Sequence, residues 1–387
     1  MPAKKVSLML VCGEPSGDQL GGQLMAALKT IAGERISVTG VGGQSMSAQG
    51  LSTLFPLDDT AVMGLNEVVP KIATILRRVR EVCDVAIRTQ PDAVVLIDSP
   101  DFTHRIARRL KRLKPAIKTI DYVAPQVWAS RAYRARAMAR NFDLLLALLP
   151  FEPPFFERYG LRTVFVGHPV IERAKLMTGG AALRARLGIG SDQPLLAVLP
   201  GSRASEIRFI LPTFRATIAK VVTRLPSLVT LIPTVPHVAA RVRESVRDWP
   251  APLHLIEGDA DKFSAMSTAN AALAASGTVT TELALARTPM VVAYRVGWLT
   301  YLLARPLMVS RWITLVNLLL EREAVPEFLQ GAAAPKRLAE AVIHLMTDAR
   351  AADEQRSDLD LATKLLGQGS EAPSLRAARA IIDFVNK

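Results

Sequence analysis

Short apolar runs alternate along the chain with segments long enough to be helices. In the first half the runs are VSLMLVC (6–12), AVVLID (93–98), IKTIDYV (117–123), DLLLALL (143–149) and TVFVG (163–167). In the second half they are LLAVLPG (195–201), LVTLIP (228–233), LHLIEG (253–258), AALAAS (271–276) and PMVVAY (289–294). They are rich in Val, Ile and Leu and do not alternate with polar residues, the pattern of strands buried on both faces. Each ends near Gly, Asp, Pro or Ser and leads towards a helical segment. The pattern predicts an α/β fold: a parallel sheet covered by helices on each side, built twice as two doubly wound domains. The glycine-rich polar stretch around 170–192 marks the boundary. The expected domains are 1–172 and 173–349, followed by a helical, alanine-rich tail, 350–387, packed on the N-terminal domain or on a partner subunit.

Charge narrows the choice of partner. The 387 residues carry a formal net charge of +13, which favours an anionic partner: nucleic acid, acidic lipid or a phosphorylated substrate. Aromatic residues are only 5 %, and no basic stripe is interleaved with stacking rings, so nucleic acid is not expected. Two cysteines, Cys12 and Cys83, provide neither a disulfide framework nor a metal cluster. Lys4 and Lys5 precede an apolar run as in a secretion signal, but the run is short and no small-residue cleavage pattern follows. A first buried strand is expected there. The apolar stretch 298–320 contains Arg305, Pro306 and Arg311, so it reads as buried or interfacial rather than membrane-spanning.

In open parallel sheets ligands bind beyond the carboxyl ends of the strands, so the residues that follow each strand carry the candidate chemistry. LPGSR places Gly201, Ser202 and Arg203 at a strand-to-helix turn, where free N–H groups and a guanidinium favour a phosphate. ASGT places Ser276, Gly277 and Thr278 at a second such turn. Glu282 follows about one helical turn on, within reach of a sugar diol, with plain capping by Thr278 as the alternative. Asp98 ends a strand and suits a general base, while Asp101 suits a helix cap. Gln126 and Trp128 sit in a loop between two strongly basic segments, 105–118 and 131–140, which suit acidic lipid or a lipid phosphate. Val68, Val69, Ile72, Ile75 and Leu76 recur at helical spacing; they suit a core-facing helix or, if exposed, acyl chains. In GEPSGD, Gly13 and Gly17 permit close approach to the backbone, and Ser16 and Asp18 suit capping or a sugar contact. No G-x-x-x-x-G-K-[ST], G-x-S-x-G or H-E-x-x-H pattern occurs.

GEPSGD, MGLNEV, DSPDF, YVAPQVWA, LPFE, FVGHP, LPGSR..E, ASGT.TTE and VNLL..RE..PEFLQ occur in this order. Together they resemble the lipid-A-disaccharide synthases of Gram-negative bacteria, over residues 6 to 330. The resemblance implies a metal-independent, inverting glycosyltransferase with two Rossmann-like domains facing across a cleft (the GT-B type) and no cofactor. It implies UDP-2,3-diacylglucosamine as donor and 2,3-diacylglucosamine 1-phosphate as acceptor. Asp98 would be the base, and Gly201, Ser202, Arg203, Glu206, Ser276, Gly277, Thr278, Glu282 and Asn317 would hold UDP. Glu14, Ser16, Gly17, Asp18, Met63, Glu67, Gln126 and Trp128 would line the acceptor side. It further implies work at an anionic membrane surface, on the inner face of the cytoplasmic membrane, and a homodimer that exchanges C-terminal segments. Four residues depart from the family pattern: Ser130 for a common tryptophan, Val316 for a common proline, and Leu320–Glu321 for a common Ala-Gly.

Overall fold

The computed structural model describes residues 5–60, 65–130, 133–297 and 310–386, with the side chains of 65–71 and 129–130 left aside. Met63, the side chains of Glu67, Val68, Val69 and Ser130, and 298–309 of the long apolar stretch therefore lie outside the described residues. The chain forms two units, one of Met1–Pro169 with Gly369–Lys387, the other of Val170–Gln368.

The first unit has six parallel strands: β1 (Val6–Cys12), β2 (Ile36–Val41), β3 (Ala93–Ile97), β4 (Lys118–Tyr122), β5 (Leu144–Ala147) and β6 (Thr163–Phe165), in the order β2-β1-β3-β4-β5-β6. Helices α1 (Pro15–Ala32), α2 (Gln44–Ala48), α3 (Leu65–Thr89), α4 (Pro100–Leu113), α5 (Val127–Ser130), α6 (Arg134–Asn141) and α7 (Glu152–Glu157) connect and cover them. All five residues of β3 are fully buried, as a strand covered on both faces requires.

The second unit repeats the plan. Its strands are β7 (Leu195–Leu199), β8 (Val229–Thr234), β9 (Leu253–Glu257), β10 (Ala271–Ala275), β11 (Met290–Tyr294) and β12 (Glu327–Leu329), in the order β12-β11-β10-β7-β8-β9 and again parallel. Helices α8 (Gly180–Arg186), α9 (Ala204–Val222), α10 (Pro236–Ser245), α11 (Asp259–Thr268), α12 (Thr278–Leu285), α13 (Leu315–Leu320), α14 (Pro335–Thr347) and α15 (Ala349–Leu365) belong to it. Leu196 and Val198 of β7 feed the core on one face of the sheet, while Ala197 and Leu199 feed the core on the other.

In each sheet the chain first builds outward on one side and then crosses to the other. The reversal falls between β1 and β3 in the first unit and between β7 and β10 in the second. Adjacent strands whose connections leave in opposite directions open a crevice at their carboxyl ends. Cys12 pairs with Ile97, so GEPSGD and Asp98 emerge side by side. Leu199 pairs with Ala274, so LPGSR and ASGT do the same.

Two strands are absent from the apolar pattern. β2 alternates between half-buried and exposed positions before it is buried, since it is an edge strand, and β12 is only three residues long. The expected tail, 350–387, is divided rather than docked as one piece. Helix α15 stays with the second unit, where Leu359 and Ala362 join its core and the Gln355 side chain accepts from the Met290 N–H. The last helix, α16 (Pro373–Val385), belongs to the first unit and packs on α1. Lys118 donates to the Phe384 carbonyl at 3.0 Å, and Arg376 donates to the Phe165 carbonyl at 2.7 Å, closing the end of β6. Among the described residues no helix is long and apolar enough to cross a membrane.

A Cβ on Gly17 would lie 2.9 Å from Cys12 Cβ and 3.1 Å from the Ile97 carbonyl oxygen. The close approach served by this glycine is that of α1 to its own sheet, not of a ligand to the backbone. Gly17→Ala should destabilise the first unit by about 1–3 kcal/mol despite the better helix propensity of alanine, as measured by urea unfolding.

Candidate active site

Asp98 follows β3 with φ of 56°, and Ser99 follows it with φ of 48°. Two consecutive left-handed residues other than glycine cost on the order of 1–3 kcal/mol each and persist only where the surroundings impose them. Here the Asp98 N–H donates to the Tyr122 carbonyl at 3.0 Å, and Thr103 Oγ1 donates to the Asp98 carbonyl at 2.7 Å. Val123, at the end of the neighbouring β4, also has a positive φ, 89°. Strain is thus gathered along the carboxyl edge of this sheet. The Ser16 hydroxyl donates to Asp98 Oδ2 at 2.8 Å, which fixes the carboxylate's direction.

The structure brings Glu14, Ser16, Gly17 and Asp98 together. Burial, and then the nearby Asp98 carboxylate, push the Glu14 carboxyl up from its ordinary pKa. Glu14 is also the residue that starts α1, with Pro15 at the first helical position, so Ser16 and Asp18 lie inside the first turn and do not cap it. Asp18 is not open to a sugar either. It is buried, and its carboxylate accepts from the N–H groups of Gly43, Ser45 and Met46 at 2.7, 2.8 and 3.1 Å, capping α2. Asp101 stands exposed in the first turn of α4 and does not cap it, since the start of that helix has no side-chain cap.

Gln126 is exposed, and Trp128 is half-buried with its ring edge-on to Phe151 at 4.9 Å. The Trp128 indole N–H donates to Glu152 Oε1 at 3.2 Å. Glu152 Oε2 accepts from Leu148 and Leu149 N–H at 3.0 and 2.9 Å. Burial pushes the Glu152 carboxyl up to about 7 against these three donors. Asp121, wholly buried in β4, lies 3.3 Å from His104 Nε2, and burial pushes its carboxyl up despite that partner. Neither group is a site candidate from the sequence: Glu152 stands only within LPFE, and Asp121 only as the one acid of the basic 105–140 region. On α3, Ile72 and Leu76 are 45 % and 40 % exposed, whereas Ile75 packs against the core beside Val79 and Val82. Ile75 is partly buried and packs against the core, so it offers less surface to an acyl chain than Ile72 or Leu76.

In the second unit Gly201 has φ of 105°, and a Cβ there would run into Glu206. Glu206 Oε2 accepts from the Ser202 and Arg203 N–H groups at 3.0 and 3.2 Å, and its Oε1 lies 3.1 Å from the Arg203 guanidinium. The expected phosphate cradle is filled by the chain's own carboxylate. Arg203 remains 71 % exposed. At the second turn the cap of α12 is Gly277, not Thr278, and no side chain caps it. Thr278 is exposed, and Ser276 Oγ reaches the Ile313 carbonyl at 3.4 Å.

Glu282 is buried and meets two cations, Arg173 and Lys262, the latter at 2.6 Å. Neither cation was legible as a site residue, because both come from segments without a motif. Asn317 is fully buried. Its amide donates to the Val325 carbonyl and to Glu327, and its oxygen accepts from Ala324 and Val325 N–H at 2.8 Å each. This carboxamide holds the loop before β12 and has no group left for UDP. Glu321, at the end of α13, has φ of 54°, which explains why glycine is common there in the family pattern. Val316, in place of the common proline, is buried in the core.

Two Rossmann-like units, each with a crevice at the reversal of its strand order, define the fold class of GT-B glycosyltransferases. Solved structures of this fold are similar over nearly the whole chain. The UDP-GlcNAc 2-epimerase of Neisseria meningitidis bound to UDP-GlcNAc has a TM-score of 0.61 at 14 % identity, covering 98 % of this chain and 99 % of that one. Acinetobacter baumannii MurG has a TM-score of 0.57 at 15 % identity, covering 98 % and 99 %. Sequence similarity goes further. The lipid-A-disaccharide synthetase family model matches residues 8–381. The lipid-A-disaccharide synthase of Rhodospirillum centenum is 47 % identical over 384 residues, covering 99 % of this chain and 96 % of that protein. That of Paramagnetospirillum magneticum is 47 % identical over 382 residues, covering 98 % of each. The chain belongs to the lipid-A-disaccharide synthetase family.

The fold raises the Glu152 pKa from its ordinary 4.5 to about 7, so the folded chain binds that proton more tightly than the unfolded chain. The stability this group contributes is present at low pH and is lost as pH rises through that window. The unfolding free energy of the wild type should fall relative to Glu152→Gln by on the order of 3 kcal/mol between about pH 4 and about pH 8, as read by urea unfolding with Trp fluorescence.

Proposed function

We propose that this chain is a glycosyltransferase joining UDP-2,3-diacylglucosamine to 2,3-diacylglucosamine 1-phosphate, giving the β-1,6-linked disaccharide 1-phosphate and UDP. The observation that carries this reading, beside the family, is Asp98 at the strand reversal of the first unit, aimed by Ser16. Asp98 takes the proton of the acceptor 6-hydroxyl as that oxygen forms its bond to the donor's anomeric carbon. The bond from that carbon to the diphosphate breaks on the opposite face, its electron pair leaves with UDP, and the anomeric centre inverts. Glu14 and Gly17 flank the base, and Gln126 and Trp128 belong to the same acceptor side.

The donor's diphosphate is read as lying at Gly201, Ser202 and Arg203, with its uridine side towards Ser276, Gly277 and Thr278. The N–H pair already satisfied by the Glu206 carboxylate supports an anion subsite, and the diphosphate takes that pair as Glu206 moves aside. Arg203 and the uncapped start of α12 then offset charge developing on the leaving group. In this role the chain's own cations and N–H groups replace a divalent metal. Glu282 and Asn317 hold the walls of the site, through Arg173 and Lys262 in one case and through the 324–327 loop in the other. Ile72 and Leu76, exposed near arginines, support contact with acyl chains at an anionic membrane surface. The same fold serves UDP-sugar epimerases, but membership of the synthetase family favours transfer.

The direct test is incubation with both acylated substrates in detergent, with UDP and disaccharide followed by mass spectrometry; conversion of a UDP-sugar to its epimer with no disaccharide would replace this reading. Asp98→Asn should lower kcat by about a hundred- to ten-thousandfold while leaving UDP affinity within about twofold, as read by steady-state rates and calorimetry. Excess EDTA should leave the rate within about twofold, whereas a metal-assisted reaction would lose most of it.

A further inference from the structure

We propose that the pocket between α4 and α6 is the subsite for the 1-phosphate of the acylated acceptor, an assignment that rests on the function proposed above. The pocket measures about 280 Å³ and is lined by His104, Arg105, Arg108, Arg134 and Asn141. Pro100 and Asp101, the first residues after the Asp98–Ser99 turn, form one wall. The pocket therefore adjoins the turn that carries the base.

Its charge is unbalanced. Arg105 Nε donates to the Asp101 carbonyl at 2.7 Å, which orients that side chain and leaves its terminal nitrogens available. Arg108 and Arg134 are exposed and meet no carboxylate among the described residues. Asp101 is the one acid in the lining. Along α4, Arg105, Arg108, Arg109, Lys111 and Arg112 recur three and four residues apart, so like charges face each other at a cost of a few tenths of a kcal/mol per pair. Asp143 pairs with Lys111 at 2.6 Å, and none of the four arginines forms an ion pair with an acid among the described residues, although Asp101 lies one helical turn before Arg105. An anion placed between the two helices removes that repulsion.

Guanidinium groups arriving from two helices suit a tetrahedral phosphate, which accepts paired N–H bonds on several oxygens. A second groove of about 630 Å³ shares Arg105, Arg108 and Asn141 and runs on past Arg109 to the exposed Leu76. Polar and apolar surfaces thus succeed each other in the order that a phosphorylated, acylated sugar needs. A membrane-lipid headgroup offers related phosphate chemistry, so the test separates the two sources.

The variants are Arg108→Gln, Arg134→Gln and their combination; both side chains are exposed, and a thermal melt confirms folding. Steady-state rates are compared for the 1-phosphate acceptor and for the same diacylglucosamine without phosphate. The wild type should prefer the phosphorylated acceptor. The double variant should lose that preference by about tenfold or more through KM, with donor KM unchanged, and Arg108→Lys should recover part of it. Partition onto phosphatidylglycerol–phosphatidylcholine vesicles should be unchanged. An unchanged preference in an active double variant overturns the inference and leaves the proposed function standing. An unchanged preference with lost vesicle binding assigns the pocket to headgroups instead. A folded wild type that makes no disaccharide overturns the proposed function, and the subsite with it.

Discussion

The hydrogen bond from Ser16 to Asp98 ties the first strand-to-helix loop of the first unit to the third, and the geometry around it follows from that tie. It requires α1 to start almost on top of the sheet, which Gly17 permits because it has no Cβ to meet Cys12 and Ile97. It also requires the chain to leave β3 through two left-handed residues, so that the carboxylate turns towards α1 rather than following the strand. Thr103 and the Tyr122 carbonyl hold that turn from the other side. A parallel sheet with a reversal in strand order provides the crevice, and these contacts place a carboxylate in it.

The second unit is organised by carboxylates turned inward. Glu206 sits on the helix start that a phosphate needs, Glu282 lies between Arg173 and Lys262, and Glu327 gathers the N–H groups of Ile313 and Thr314 with the Asn317 amide. Of the three, Glu282 is buried, and a buried charge without partners costs several kcal/mol, so it needs the two cations it has gathered. The chain's own groups thus satisfy one another along these turns, and at the 201–206 turn the Glu206 carboxylate occupies the N–H pair itself.

The sheet was legible where its strands are continuous apolar runs. It was illegible at β2, whose exposed Ser37 and Thr39 belong to an edge, and at the three-residue β12. The position of Asp98 was legible because it directly follows a continuous buried strand. Asp18 was not, because the N–H groups it binds lie on a loop brought to it only by the tertiary fold. The same limit applies to Asn317, whose partners are backbone groups of the loop before β12, and to Ile75, which helical spacing alone does not separate from Ile72 and Leu76. A helical, alanine-rich tail could be read from the sequence, but the pattern does not say that α15 and α16 serve different units.

That last feature has a consequence for synthesis. The face of α1 covered by α16 belongs to residues 15–32, while the helix that covers it comes from residues 373–385. On the ribosome the first unit therefore emerges without its final helix and remains so while the whole second unit is made. Completion of the first unit waits until the second has been made, and until then the face of α1 that α16 covers is open to water, to chaperones or to the matching helix of another nascent chain.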